Sequence, residues 1–306
     1  MALNLIIAAL LAASSPQDPA PTVLDDVVVE GVRRNEATSF AFVRAISATP
    51  FGSHTMAVWT GPLCLTIDNL PPERAESLTS RILGRVEYVG VEVAPAGCRS
   101  NVTVIFTAEG STTATDLVRH NRTDLRPTSG STQLDRASLA RFSRDERAVR
   151  WWTVNIPVDA EKGGRVVALA GSSELIRGLG GSQQSGGPPV VEVRGIKPVG
   201  DNIQDALVQT IVIVDARLAN GVSYASLGDY LAMVILTQVD PEADVSGVPT
   251  ILNLFSDNPS VTELSRWDQD YLKALYETPV RWTNIRFQQE DIARRMVADT
   301  SARPRP

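Results

Sequence analysis

The sequence predicts an α+β domain, a mixed β-sheet followed by helices, with one helix buried at its centre. Two β-branched runs, Val102–Phe106 and Gln209–Asp215, have the composition of inner strands. Seven consecutive apolar residues, Tyr230 to Leu236, lie in a helical stretch and need cover on several sides. Leu264, Trp267, Tyr271, Leu272 and Leu275 recur at helical spacing near the end of the chain, as on an amphipathic helix.

In chain order, Leu5–Ala13 is an apolar run of nine residues followed by Ser14 and Ser15. It is too short to span a bilayer and has the length of a secretory h-region, so 1–15 is expected to be a signal peptide; a buried N-terminal helix is the alternative. The Pro-rich stretch 16–22 reads as a linker. Phe40, Val43 and Ile46 predict a helix from Asn35 that stops before Pro50. Strands are expected at Thr55–Thr60 and Leu63–Ile67. Pro71 and Pro72 open a helix with Ala75, Leu78 and Ile82 on one face, closed at Gly84. Val86–Val93 and Val102–Phe106 read as strands, then Thr113–His120 and Leu134–Phe142 as helices.

Val149–Ile156 predicts a strand whose consecutive Trp151 and Trp152 face opposite sides. The Gly/Ser-rich segment 171–189 lacks the lysine of a phosphate-binding loop and is expected to be a hairpin or edge loop. Tyr224–Val239 is the central helix, and TILNLF a short segment after a polar loop. Ser265 with Asp268 makes a capping box for the amphipathic helix. Residues from Arg286 read as a short charged helix that frays. The expected division is therefore 1–15 signal, 16–34 linker, 35–285 a single domain and 286–306 a tail.

Composition narrows the chemistry. Across 306 residues, 29 Lys+Arg stand against 35 Asp+Glu, a net charge of −6, which argues against nucleic acid. The 43% hydrophobic content is that of an ordinary globular chain, with no transmembrane helix expected. Two His and two Cys, with no spacing linking them, give no zinc site, and no metal or cofactor is expected. Asp240, Glu242 and Asp244 lack the glycine and terminal glutamate of an EF-hand and read as solvated loop acids. If the chain is exported, Cys64 and Cys98 are expected to pair, which in the chain-entropy model contributes roughly 3–4 kcal/mol; two unrelated buried thiols are the alternative. The location implied is the periplasm or outside the cell. No serine carries a nucleophile motif. Asp215, ending the apolar strand, is the best acid candidate, with strand-ending or capping as its structural alternative. Asp229, just before the apolar run, needs either an opening or a partner.

Two family resemblances follow from these residues. The order inner strand, SYASLGDYLAMVILTQVD, loop, TILNLF and LSRWDQDYLKALY resembles the C-terminal half of a metzincin-type zinc peptidase. Asp229, Tyr230 and Met233 stand where that family's metal-binding helix has His, Glu and His, and Leu254 follows Asn253 where an aromatic often sits. The resemblance implies a zincin-like scaffold without metal or catalytic residues, a pseudoenzyme, with a remnant cleft at Asp215, Asp229, Tyr230, Met233 and Asn253. The segment LDDVVVEGVRR resembles the TonB box of outer-membrane receptors. That implies strand addition to an envelope protein through Val27, Val28 and Val29; a first strand of the protein's own sheet is the alternative. The expectation is an exported, non-enzymatic protein that binds a peptide, protein or envelope component. Beside it stand a metal-independent periplasmic hydrolase using acidic residues and an accessory protein of a TonB-dependent transport system.

Overall fold

The computed structural model describes residues 34–48, 50, 53, 55–121, 125, 134–160, 165–167, 190–192, 203–279 and 284–301. The signal, the linker up to residue 33 with Val27–Val29, and the Gly/Ser-rich 171–189 lie outside the described residues.

The strand predicted at Gln209–Asp215 is the last part of β7 (Ile203–Asp215), the spine of the sheet. Apolar residues on both of its faces allow cover from both sides, and both are covered. Along one flank it pairs antiparallel with β4 (Val149–Asp159), from Val149 opposite Val214 to Asp159 opposite Ile203, with an irregularity at Val154/Asn155. Along the other flank it pairs in parallel with β1 (Val58–Trp59) and then with β3 (Val102–Thr107). β2 (Leu65–Asp68) lies parallel to β3 at one edge. β5 (Arg165–Val167) and β6 (Val190–Glu192) extend the other, in the order β2-β3-β7-β4-β5-β6.

Seven α-helices accompany this sheet among the described residues: α1 (Glu36–Ile46), α2 (Pro72–Tyr88), α3 (Gly110–His120), α4 (Arg136–Arg144), α5 (Tyr224–Leu236), α6 (Arg266–Glu277) and α7 (Ile285–Ser301). The larger core joins one sheet face to α1, α2, α5, α6 and α7. A smaller one joins the opposite face to α3 and α4. Trp151 and Trp152 divide between them as strand alternation requires, and both are covered. The mixed sheet and central helix are thus as expected. The helices are not gathered at the end, because α2 links parallel β2 to β3 and α3 and α4 lie between β3 and β4.

Every residue of α5 from Ser226 to Leu236 is buried. Local chemistry fixes the helix starts: Asn35 and Thr38 form a capping box on α1, Ser223 caps α5, and Ser265 with Asp268 forms the expected box on α6. Cys64 and Cys98 form a disulfide, with Cα atoms 6.1 Å apart. No helix among the described residues is long and apolar enough to cross a membrane.

Several boundaries differ from the sequence reading. Gly84 does not end α2, which continues to Tyr88, and the strand expected at Val86–Val93 is absent apart from an isolated bridge between Leu63 and Val93. The reason is that Leu78, Ile82 and Val86 continue one buried stripe at four-residue spacing. The chain turns instead at Gly90, with φ +79°. The strand expected at Thr55–Thr60 shrinks to two residues, because the Thr55 amide and hydroxyl are engaged with Asp205. Phe42 rather than Phe40 faces the core of α1. The central helix stops at Leu236, and TILNLF contains a 3-10 turn at Ile251–Asn253. The tail is part of the fold: α7 packs on α1 and α6, with Ile292 and Met296 fully buried, so the division at 285 is corrected.

Candidate functional site

The two acids singled out in the sequence are anchors. Asp215 is 2% exposed; its Oδ2 accepts from the Gly110 amide at 2.9 Å and its Oδ1 from the Arg217 amide at 3.0 Å. Burial alone raises such a carboxyl. The Gly110, Arg217 and Leu218 amides and the Arg217 guanidinium outweigh it and hold the group below the ordinary aspartate value. Asp229 is fully enclosed. Arg81 donates to it through Nε (2.8 Å) and Nη2 (2.7 Å), Arg85 through Nε (2.9 Å) and Nη2 (3.2 Å), and the Leu264 amide at 2.8 Å. Burial again opposes ionisation and the two guanidiniums prevail, so its pKa is also lowered.

The remaining members of the expected cleft do not open one. Tyr230 packs edge-on against Trp151 and Phe255, and burial raises its pKa. Met233 is fully buried. Asn253 donates to the Val245 and Val248 carbonyls, closing its own loop. The space beside Asp229 is filled by Arg81 and Arg85, which corrects the cleft reading for these five residues. Glu242 pairs with Arg147, while Asp240 and Asp244 accept from backbone amides within their loop. No group of three or more His, Cys, Asp or Glu among the described residues is placed to hold a metal ion.

The open space lies elsewhere, where parallel strands end together. Thr107 pairs with Asp215, and Asp68 pairs with Ile105, so β2, β3 and β7 finish at one end of the sheet. Ligand crevices of open α/β sheets form outside the carboxyl ends of such strands. Here the chain leaves β2 through Asn69, at φ +62°, a conformation that asparagine tolerates better than most residues. Its Nδ2 donates to the Phe106 carbonyl at 3.1 Å and ties the β2 exit to β3. Gly110 opens α3 beside Asp215: a Cβ there would lie 3.1 Å from Asp215 Oδ2 and 3.2 Å from Arg150 Nη2. Gly221, at φ +90°, turns the β7 exit into α5.

The resulting crevice has a volume of ≈ 620 Å³ and is lined by Asn69, Leu70, Arg74, Phe106, Thr107, Ala108, the loop residues Ala216 and Ala219–Val222, Tyr224 and Leu227. Tyr224 also lines a second pocket of ≈ 470 Å³, together with Ser77, Ser80, Arg81, Gly84, Arg85 and Ala225. Arg74 donates to the Tyr224 hydroxyl at 3.3 Å and its guanidinium lies 5.6 Å from the ring centre. Arg74, Arg81, Arg85 and Tyr224 were not singled out from the sequence. The available signal was the spacing of the arginines, seven and four residues apart, which places them on one helix face.

Among known proteins, no family model, curated protein or solved structure matches the chain.

Proposed function

We propose that this is an exported binding protein of the cell envelope that recognises a peptide, protein or envelope component in the crevice at the ends of β2, β3 and β7. The observation that carries this is the contrast between an open crevice of ≈ 620 Å³ and two enclosed, fully partnered acids. A hydrolase built on Asp215 or Asp229 is disfavoured, because each carboxylate already accepts at least three hydrogen bonds. Export draws its support from the Cys64–Cys98 disulfide together with the apolar run Leu5–Ala13. The succession β7, α5, the turn Ile251–Asn253 and α6 supports a zincin-like scaffold, with Arg81 and Arg85 seated against its central helix.

A photo-crosslinking residue placed at Leu70 or Tyr224 in cells should capture an envelope molecule, while one at exposed Arg119 should not. No adduct at either crevice position, or a protein found reduced in the cytoplasm, would reject this function.

A second reading keeps the strand-adding segment. Arg34, its last residue, pairs with Asp270 and lies 4.8 Å from the Trp267 ring centre, which gives the segment a fixed point of attachment. Deleting 25–33 while retaining Arg34 should then abolish co-purification with the transport machinery; unchanged co-purification removes this reading.

A further inference from the structure

We propose that the groove along α2, from the crevice to Arg85, binds a ligand carrying two or more anionic groups, carboxylate or phosphate. This rests on the binding function above and adds the chemistry of the ligand. Arg74, Arg81 and Arg85 fall within about 40° of one another around α2, and the first and last are separated by roughly 16 Å of helix rise. They therefore form a row of three cations beside two pockets that share Tyr224, with Ser77, Ser80 and Tyr224 supplying hydroxyl groups at the same surface.

The charges in this row are not balanced by the protein groups that touch it. Arg81 and Arg85 share one carboxylate, that of Asp229. The other acid in contact is Glu263, 3.3 Å from Arg81 Nη2 and 69% exposed, where water weakens the pairing. Arg74 has the neutral Tyr224 as its partner. Three guanidiniums thus meet one buried and one solvated carboxylate. Arg81 and Arg85 use Nε and Nη2 on Asp229, and among the described residues neither Nη1 makes a hydrogen bond to protein. Their side chains are 31% and 23% exposed, so the guanidiniums are held rigidly by Asp229 and still reach the pocket. Guanidinium groups fixed in this way suit oxyanions, since their planar donor forks match carboxylate and phosphate and little side-chain freedom remains to be lost. Leu70, Phe106, Val222 and Leu227 give the adjoining crevice an apolar part, so a ligand with an apolar segment beside its charges fits both pockets.

The test uses the mature protein with its disulfide intact and three probes in calorimetric titration: tetraglutamate, tripolyphosphate and uncharged tetraglutamine. At least one anionic probe should bind and tetraglutamine should not. Ser80→Glu places a negative charge in the pocket without touching the Arg–Asp contacts and should weaken binding at least tenfold; Arg74→Gln should weaken it several-fold. Both changes are at exposed positions, and unchanged thermal melting separates loss of binding from loss of fold. Tighter tetraglutamate binding would identify an acidic peptide as the source, and tighter tripolyphosphate a phosphate-bearing ligand. Binding of neither anion, equal binding of tetraglutamine, or an unchanged Kd in Ser80→Glu would overturn the anionic-ligand proposal. Crosslinking at Leu70 and Tyr224 is read independently, so loss of this chemistry alone would leave the crevice function standing.

Discussion

At the scale of single residues, the centre of the molecule is organised by a carboxylate that never reaches solvent. Asp229 holds two arginines of α2 against α5, and Gly228 makes room for them: a Cβ there would come within 2.8 Å of Arg81 Cγ. Gly228→Ala should therefore destabilise by about 1–3 kcal/mol through overpacking, read as a lower urea midpoint. Asp229→Asn removes the shared anion while the arginines can turn toward water, and should cost about 2–4 kcal/mol in the same measurement. Two signs of pH dependence coexist. Asp215 and Asp229 have lowered folded pKa values, so their stabilisation is present above about 3.8 and is lost as pH falls through the lower folded values. Asp268 behaves oppositely: burial, opposed by hydrogen bonds from Thr250, Ile251 and Ser265, pushes it up to about 6. Its contribution is greatest below 3.8 and declines as pH rises toward about 6. Urea titrations between pH 4 and 7 should show that decline in the native sequence and a flatter profile in Asp268→Asn.

At the scale of elements, legibility followed whether the signal was local. The cap at Ser265, the β-branched β3 and β7 and the apolar α5 are all written in adjacent residues, and each formed near its expected place. The end of α2 was misread because Gly84 carries a local stop signal, while the continuing stripe to Val86 only matters once a core lies beneath it. α7 was misread for the opposite reason. Arg286 with Glu290, and Asp291 with Arg294 and Arg295, give it a charged appearance, yet these pairs lie along the helix, and Ile292 and Met296 are buried in the core shared with α1 and α6. Deletion of 286–306 should thus abolish cooperative unfolding as followed by circular dichroism, because Gln288, which accepts from the Met56 amide, leaves with those two core residues. A chain that loses only frayed residues would unfold as before.

At the scale of the whole molecule, the candidate site was the least legible feature because no local pattern specifies it. The crevice exists because β2, β3 and β7 run parallel and end together, although β3 and β7 are far apart in the chain. Strand order and direction emerge from long-range pairing, whereas Asp215 and Asp229 looked chemical only because their neighbours were unknown. The disulfide adds a constraint at this scale: Cys64 precedes β2 and Cys98 precedes β3, so the bond closes a loop of 34 residues that contains all of α2. Cys98→Ser should cost about 3 kcal/mol if the loop-entropy account holds, and the loss should be greater for binding along α2 than for a probe of α7. For an exported chain this enclosure also sets an order of events. In such a chain the helix that carries Arg74, Arg81 and Arg85 would be sealed only by oxidation after departure from the compartment of synthesis, so maturation and competence to bind would arrive together, at the destination.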